Sequence, residues 1–211
     1  MARLCELIIE PKPLDGETNM SRDAAMLQSA VDDGKCALRL YEWDRPTLSL
    51  GYFQKPEIIP SEFDQLPTVR RISGGGAILH HHELTYACAI PARHTLASDP
   101  TSLYRVIHDR IVAVLAEFDF NVCSRGQVAI RQLNEPFLCF LREDPHDLVI
   151  DGHKVLGSAQ RRRKGAVLQH GSLLLRESEF APGLPGLLDL ANLKKCPLVV
   201  DRLGIGISSL L

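Results

Sequence analysis

Apolar residues recur at helical spacing in two stretches of the chain, residues 15–34 and 99–120. In each stretch they share one face: Met20, Ala24, Met26, Leu27 and Val31 in the first, and Leu103, Ile107, Ile111, Val114, Leu115 and Phe118 in the second. Gly34 is a stop signal for the first helix, and Asp99 or Thr101 can cap the second. The pattern predicts two long helices.

Shorter apolar runs, rich in β-branched and aromatic residues, predict strands elsewhere in the chain. Three of them lie at residues 5–10, 36–43 and 47–53. A fourth leads into the glycine run at 74–76, and a fifth extends from Leu84 to Ile90. Within residues 137–175, "FLCFL" and the segment after it predict three or four more. The turn Asp44 to Pro46 predicts that the second and third runs pair as a hairpin. Residues 181–211 predict only a short helix and a loop.

These elements predict an α+β fold, in which a strand-rich sheet packs against two long helices in one domain spanning residues 1–211. The C-terminal part after Leu175 is poorly defined by the pattern. With 45% apolar and 24% charged residues the chain has the composition of a soluble globular protein.

Charge and cysteine content narrow the class of protein. A formal net charge of −2 gives no basis for a nucleic-acid partner, and no apolar run approaches the roughly 18 residues of a membrane span. The N-terminal residues do not resemble a signal peptide, so we expect a cytoplasmic protein without a membrane partner. Six widely spaced cysteines without a C-x-x-C pair predict reduced thiols, each to be judged singly.

The glycine run in "RRISGGGAILHH", residues 70–81, is the most unusual stretch. Three glycines weaken a strand, but they permit positive φ, close approach of the backbone and a concave nest of N–H groups. Arg70 and Arg71 precede the run and should point to opposite faces, so at most one lines a pocket. A simple hairpin turn or bulge is the alternative.

Two further clusters carry weaker signals. Strand alternation lets only His80 and His82 of the histidine run share a metal, and no third ligand is suitably spaced, so no metal site is predicted. The basic segment "QRRRKG", residues 160–165, is typical of a solvated hairpin tip. Its functional alternative is docking of an acidic protein partner.

Cys139 lies among apolar neighbours, fifteen positions before Lys154. Free cysteine is often a small core residue. It is a nucleophile only as the thiolate, which a nearby lysine ammonium favours. The two residues can meet if the turns at residues 144–147 and 151–152 fold the segment back on itself, although spacing alone leaves both interpretations open.

Three segments together resemble a known family. "RRISGGGAILHHHELTYACAIP", "YEWDRPTLSLGYFQ" and "DGHKVLGSAQRRRKGAVLQHGSLLL", with its pattern G-x-K-[IV]-x-G-S-A-Q followed by Q-H-G, are similar to the lipoate–protein ligase A/B superfamily, which includes biotin protein ligases. The similarity runs from roughly Gly16 to Leu175. It implies a biotin/lipoate ligase-like catalytic domain with a mixed, largely antiparallel sheet flanked by helices.

The resemblance also implies the site residues. The pair Cys139–Phe140, with its interval to Lys154, is similar to a cysteine-dependent octanoyltransferase branch, which makes Cys139 and Lys154 the catalytic candidates. The substrate-binding candidates are Arg71, Ser73, Gly74, Gly75, Gly76, His80, Gly157, Ser158, Ala159, Gln160, His170 and Gly171. Backbone N–H groups near Gly75, Gly76 or a turn at Gly157–Ser158 would stabilise the oxyanion.

The implied activity is transfer of an octanoyl or lipoyl group from a thioester donor, through a cysteine thioester, to a lysine of a lipoyl-acceptor domain. The donor would be acyl carrier protein, and the acceptor the glycine cleavage H protein or a 2-oxoacid dehydrogenase E2 component. This reaction requires no cofactor. The alternative is a lipoate–protein ligase that uses ATP and Mg²⁺ to form lipoyl-adenylate, and a non-catalytic acyl or nucleotide sensor also stays open.

The chain departs from the family's pattern at two places. His81 stands where an aspartate is usual, which affects the expected hydrogen bonding in the pocket. The stretch after Leu175 is short and rich in glycine and proline where relatives carry a further helical segment, and we expect no accessory domain of the kind that many ligases carry there. Cys88, Cys123 and Cys196 match no catalytic position, and we expect them to fill the core.

Overall fold

The computed structural model describes residues 5–99, 101–127, 135–194 and 199–211, and these form ten strands and four α-helices. The strands are β1 (Glu6–Ile9), β2 (Ala37–Tyr41), β3 (Thr47–Leu50), β4 (Thr68–Arg70), β5 (Ile78–His80), β6 (Glu83–Ile90), β7 (Cys123–Ser124), β8 (Leu148–Ile150), β9 (His153–Arg163) and β10 (Ala166–Leu174). The helices are α1 (Gly16–Asp32), α2 (Ser102–Ala116), α3 (Leu187–Leu190) and α4 (Val199–Ser208).

Seven strands form one sheet, in the order β1-β2-β6-β10-β9-β8-β7, and only the β1–β2 pair is parallel. A smaller sheet has the order β4-β3-β5. The predicted α+β class, with a mixed and largely antiparallel sheet flanked by helices, is therefore confirmed. Among the described residues, no helix has the length and apolar character needed to cross a membrane.

Side-chain alternation along β6 explains why helices cover both faces of the large sheet. Its even-numbered positions, such as Leu84 and Ile90, enter the larger core, which α2 and α4 cover. Ala87 and Ala89 face the opposite way, toward α1. Their small side chains allow α1 to lie close to the sheet, and this close layer brings polar residues of α1 to the site.

The predicted hairpin of β2 and β3 is wrong. β2 pairs with β1 and β6 in the large sheet, whereas β3 pairs with β4 and β5 in the small one. All five residues of β2 are buried, which is the environment of an interior strand covered on both faces. The turn at residues 44–46 therefore carries the chain from one sheet to the other.

Two other expectations about the elements need correction. "FLCFL" is not a strand, because Cys139–Leu141 form a 3₁₀ turn. The C-terminal stretch contains a second helix, α4, whose Val199, Leu203 and Ile207 are buried in the larger core. Two glycines within α4 lowered its apparent helical propensity, but tertiary packing compensates for them.

The cysteines differ in their surroundings. Cys88 is fully buried in the larger core, as expected. The prediction that Cys123 fills the core is wrong, because it lies exposed on the edge strand β7. Cys196 lies outside the described residues. The described cysteines are free thiols, in agreement with the compartment argument.

A buried hydrogen-bond chain fastens α2 to the large sheet. The His108 ring donates from Nδ1 to the carbonyl of His146 at 2.7 Å, and its Nε2 accepts from the Ser158 hydroxyl at 2.7 Å. The Tyr86 hydroxyl donates to Ser158 at 2.8 Å and accepts from the Gln169 amide at 2.7 Å. Every group in this chain has a partner when the His108 ring is neutral. Burial lowers the pKa of His108 to about 4.

This neutral ring makes stability depend on pH. Between His108's ordinary pKa of 6.5 and about 4, the unfolded chain binds more protons at this residue than the folded chain, so acidification destabilises the fold. We expect His108→Gln to remove this term. The free energy of unfolding of the wild type should therefore fall by about 2.5 kcal/mol more than that of the variant between about pH 7.5 and about pH 4.5. Urea titrations of both proteins measure this, and a constant difference across the range would contradict it.

Candidate active site

The small sheet positions Cys139. An isolated parallel bridge joins Leu138 to Ala77, the residue directly before β5. The Cys139 amide donates to the Ala77 carbonyl at 2.7 Å. Leu138 belongs to the apolar cluster under the small sheet, together with Leu48, Leu50, Phe63, Ala77, Leu79 and Ala181. The 3₁₀ turn that follows Leu138 leaves the thiol partly exposed, at the end of the glycine run.

The three consecutive glycines each have a different environment. Gly75 has a φ of +98°, and a Cβ there would lie 3.9 Å from the Cys139 Sγ. A Cβ on Gly76 would lie 2.7 Å from the Arg142 guanidinium carbon, whereas a Cβ on Gly74 would meet nothing within 4 Å. Positive φ accounts for Gly75 and close packing for Gly76, and the middle residue of the run faces the thiol.

The backbone of this run forms a candidate oxyanion site. Among the described residues, nothing accepts a hydrogen bond from the backbone N–H groups of Gly74, Gly75 and Gly76. Consecutive free N–H groups can bind an oxygen that carries negative charge. The other candidate was wrong in its geometry, because Gly157 and Ser158 do not form a turn but lie inside β9, paired with Ser172 and Gly171 of β10.

Lys154 meets Cys139 as predicted, but through the backbone. Its ammonium donates to the Cys139 carbonyl at 3.3 Å and to the Arg142 carbonyl at 3.3 Å. The third contact is an ion pair with the Asp147 carboxylate at 2.8 Å. These acceptors match the three N–H donors of an ammonium group, and none of them is the thiol. The ammonium therefore contacts the backbone carbonyl of Cys139 and not its sulfur. A direct effect of Lys154 on the thiolate stays a prediction.

Asp147 and Gly157 create the space in which Lys154 lies. Burial raises the pKa of Asp147 above its ordinary value, against the opposing effect of the Lys154 charge. A Cβ on Gly157 would lie 2.6 Å from the Lys154 Cε, so only glycine allows the side chain this path. This packing gives a physical reason for the glycine in the G-S-A-Q segment.

Arg71 is a second cation beside the thiol. Its Nη2 lies 3.7 Å from the Cβ position of Gly75, the same point from which the Cys139 Sγ is 3.9 Å away. Burial lowers the pKa of Arg71 to about 10, while the nearby thiol, when ionised, acts in the opposite direction, so the guanidinium is cationic at neutral pH. The prediction about the two arginines is confirmed, because Arg71 is buried and Arg70 is exposed.

Arg71 is held by a hydrogen-bonded series that ends at Glu83. The guanidinium donates to the Ser49 hydroxyl at 2.6 Å, Ser49 lies 2.6 Å from the His80 Nε2, and the His80 Nδ1 donates to Glu83 at 2.7 Å. Burial lowers the pKa of His80, so the ring is neutral near pH 7 and accepts from Ser49. The Trp43 ring stacks on His80 at 3.7 Å. This series orients Arg71 toward the thiol.

A parallel series anchors the glycine run to the large sheet. The Ser73 hydroxyl lies 2.5 Å from the His170 Nε2, and the His170 Nδ1 donates to the Asp23 carboxylate at 3.0 Å. Asp23 also accepts from Arg39 at 3.1 Å and from the Tyr41 hydroxyl at 2.9 Å. Both nitrogens of His170 are occupied by buried partners. Its role in this arrangement is therefore to fix the glycine run on β10 and α1.

A narrow cleft lies in front of the thiol between the two sheets. Of the predicted site residues it is lined by Cys139, Arg71, His80, Gly157, Ser158, Ala159, His170 and Gly171. The rest of its wall comes from Met20, Tyr41, Ile78, Thr85, Phe140 and Ser172. The wall is mainly apolar with a few oriented polar groups, which is the character of a site for an aliphatic acyl chain.

Gln160 is the predicted residue that the structure places elsewhere. Its side-chain amide donates to Gln169 at 2.8 Å, and it lines a separate cavity beside Tyr104 and Arg162. Alternation along β9 puts Gln160 and the Ser158 hydroxyl on the α2 face of the sheet, away from the thiol. A Cβ on Gly171 would lie 2.3 Å from that hydroxyl, which explains the glycine there.

The sequence did not reveal the three carboxylates that hold the site, Asp23, Glu83 and Asp147. Glu83 follows the histidine run and Asp147 ends the segment "DPHD", so their proximity to candidate residues was a signal that could have been used. Asp23 lies on a helix far from every motif, and nothing in the sequence marks it. Only the packing of α1 on the sheet brings it to His170.

The histidine run does not form a metal site in the part of the chain that the structure describes, which contains no group of three His, Cys, Asp or Glu residues placed to bind an ion. His80 ends β5 and points inward to Glu83. The rings of His81 and His82 instead stack on each other at 3.6 Å, because strand alternation stops at His80. His81, where the family has aspartate, lies 3.0 Å from the Ser178 hydroxyl.

Comparison with known proteins gives a consistent picture. The model of the family "Lipoyl protein ligase A/B catalytic domain" matches residues 15–180. A protein named octanoyltransferase LipM from Carboxydothermus hydrogenoformans is 38% identical over 169 residues, and one of the same name from Brevibacillus brevis is 40% identical over 172 residues. These matches cover 76% and 74% of this chain. The matched part is 61% of the length of each relative.

Solved structures show the same fold. A putative lipoate protein ligase from T. acidophilum with bound lipoic acid superposes with a TM-score of 0.76 over 98% of this chain and 86% of that one. The two sequences are 20% identical, so this likeness concerns the fold alone.

The difference between Gly74 and Gly75 can be tested directly. We expect Gly75→Val to destabilise the fold by about 1–3 kcal/mol, because the residue needs positive φ, and to slow alkylation of Cys139, because the new side chain points at the thiol. Gly74→Val is the matched control, since its Cβ meets open space. The measurements are urea unfolding and the iodoacetamide rate at Cys139 followed by mass spectrometry. Equal effects of both substitutions would reduce the run to an ordinary turn.

Proposed function

This chain belongs to the lipoyl protein ligase A/B catalytic domain family, and from that premise we propose that it is an octanoyltransferase. It moves an octanoyl group from a thioester donor to a lysine of a lipoyl-acceptor domain, through a thioester on Cys139. The donor is acyl carrier protein, and the acceptor is the glycine cleavage H protein or a 2-oxoacid dehydrogenase E2 component. The observation that carries this proposal is the Cys139 thiol at the head of an apolar cleft, between Arg71 and the free N–H groups of the glycine run.

In the first half-reaction the Cys139 thiolate attacks the carbonyl carbon of the donor thioester. The carbonyl oxygen becomes an oxyanion, which the backbone N–H groups of Gly75 and Gly76 stabilise. The donor C–S bond then breaks, the donor leaves as a thiolate that takes up a proton, and the acyl group stays on Sγ. The octanoyl chain occupies the cleft beside Ile78 and Phe140.

In the second half-reaction the neutral amine of the acceptor lysine attacks the Cys139 thioester. The nitrogen forms an amide bond to the acyl carbon and loses a proton, and the C–S bond breaks. The sulfur leaves as a thiolate, which takes up a proton and becomes the Cys139 thiol again. The Nε of Arg71, beside this site, is a buried donor without a partner among the residues that the structure describes.

Formation of the acyl-enzyme is the first test of the proposed function. We expect incubation with octanoyl acyl carrier protein to add one octanoyl group to Cys139 without ATP or Mg²⁺, because a thioester is already activated. Cys139→Ser should form no adduct, and Cys123→Ser is the matched control, since Cys123 is another exposed thiol. Intact-mass and peptide mass spectrometry give the result. A transfer that needs ATP and Mg²⁺ would instead favour the lipoate ligase.

The role of Lys154 can be separated from that of a structural anchor. If its charge favours the thiolate, Lys154→Met should shift the pH profile of Cys139 alkylation upward, and Asp147→Asn should shift it downward by leaving the ammonium uncompensated. The measurement is alkylation rate against pH for the wild type and both variants. If Lys154 only anchors the turn through the carbonyls, both variants lose reactivity and neither profile moves along the pH axis.

A further inference from the structure

Large apolar side chains are exposed on two sides of the Cys139 thiol. Phe53 is 81% exposed and Tyr52 is 45% exposed, in the segment that follows β3. Leu141, in the same 3₁₀ turn as the cysteine, is 54% exposed. Single exposed apolar residues are ordinary, but a group of them at the mouth of a site is typical of a protein interaction surface.

The position of Tyr52 and Phe53 relative to the thiol follows from backbone contacts. The Tyr52 amide donates to the Ser73 carbonyl at 2.8 Å, and a Cβ on Gly51 would lie 2.1 Å from the Gly75 carbonyl oxygen. The segment therefore lies directly against the glycine run, whose other side faces Cys139. The aromatic pair and Leu141 consequently flank the thiol from opposite directions.

The aromatic segment is held in place. The Nη1 of Arg70 donates to three of its carbonyl groups, those of Gly51 at 3.0 Å, Tyr52 at 3.2 Å and Gln54 at 2.6 Å. The two rings pack edge to face with centroids 5.0 Å apart. A surface fixed in this way loses little conformational entropy when a partner binds, which favours its use in recognition.

The charge around these rings is largely positive. The Arg161 guanidinium, from the basic segment 160–165, lies 4.8 Å from the centre of the Tyr52 ring. Lys55 is exposed on the aromatic segment and Arg70 is exposed at the end of β4, and Glu57 is the next carboxylate along the aromatic segment. An acidic partner surface would complement this arrangement.

We propose that Tyr52, Phe53, Leu141 and Arg161, here called the docking rim, bind the acceptor domain and bring its lysine to the Cys139 thioester. This inference rests on the proposed function. A lysine has only a four-carbon stem, so the domain that carries it must be seated beside the thioester. A donor whose acyl group is carried on a long flexible arm can dock farther away. The rim lies immediately beside the thiol, and its chemistry fits an acidic acceptor surface with an apolar contact.

The first experiment measures binding, so that it does not depend on acyl transfer. An unmodified lipoyl domain of a 2-oxoacid dehydrogenase is titrated into the wild-type chain and into Phe53→Ser without donor. We expect the variant to raise the Kd roughly tenfold, the loss of a hot-spot contact. Ile205→Ser is the matched control, because Ile205 is 57% exposed on α4. Equal Kd values for the wild type and Phe53→Ser would overturn the proposal.

The second test reverses the charge of Arg161 and measures acylation of Cys139 separately from transfer to the lipoyl domain. We expect Arg161→Glu to raise the KM for the lipoyl domain and to reduce its salt dependence, whereas Arg105→Glu on α2 does neither. Acylation of Cys139 by the thioester of octanoic acid with N-acetylcysteamine should stay within about twofold of the wild type in Phe53→Ser and Arg161→Glu, since this small uncharged donor needs no docking surface. Weakened binding of acyl carrier protein with unchanged lipoyl-domain binding would assign the rim to the donor and overturn the proposal. If the wild type forms no acyl-enzyme, the proposed function fails, but the binding titration still decides the rim.

Discussion

The site depends on the buried carboxylate of Asp23. It accepts hydrogen bonds from Arg39 and Tyr41 of the large sheet and from His170 of β10, and His170 in turn holds Ser73 at the start of the glycine run. These five side chains come from four separate segments, because Arg39 and Tyr41 both belong to β2. Without Asp23 the Tyr41 hydroxyl and the His170 Nδ1 would lose their acceptor in the interior, and Arg39 would keep only Glu10 and Asn19 as partners, which is costly. The small alanines of β6 make this arrangement possible, because they let α1 lie close enough to insert the carboxylate.

The sequence predicted those features that depend on the spacing of neighbouring residues along one segment. Helical spacing located α1 and α2, and alternation placed Arg70 and Arg71 on opposite faces. It failed where distant parts of the chain decide. β2 and β3 flank a good turn sequence, yet each finds a better-buried partner in a separate sheet. The short apolar run around Cys139 had the composition of a strand, but the bridge from Leu138 to Ala77 ends after one residue pair and the chain turns.

The same distinction applies to the candidate site. The motif residues were recognisable because glycine, cysteine and lysine have few substitutes in their roles. Gly157 shows this most clearly, since a Cβ at that position would collide with the Lys154 side chain. The residues that orient the motifs do not carry a comparable signature. Asp23, Glu83 and Asp147 are ordinary acidic residues in the sequence, and only burial beside His170, His80 and Lys154 gives them a function.

The geometry at Cys139 connects stability to chemistry. Its amide is bound to Ala77, and its carbonyl accepts from both the Arg142 amide and the Lys154 ammonium. With the backbone held on both sides, rotation about χ1 is the freedom left to the thiol, and Gly75 leaves space in front of it. Lys154 is therefore required for the shape of the turn before any effect on the thiolate is considered. Since Asp147 is buried with it, removal of the lysine also leaves this carboxylate with only the Arg125 guanidinium, 3.8 Å away, as its cation. One buried ion pair thus supports the fold of the turn that carries the Cys139 thiol.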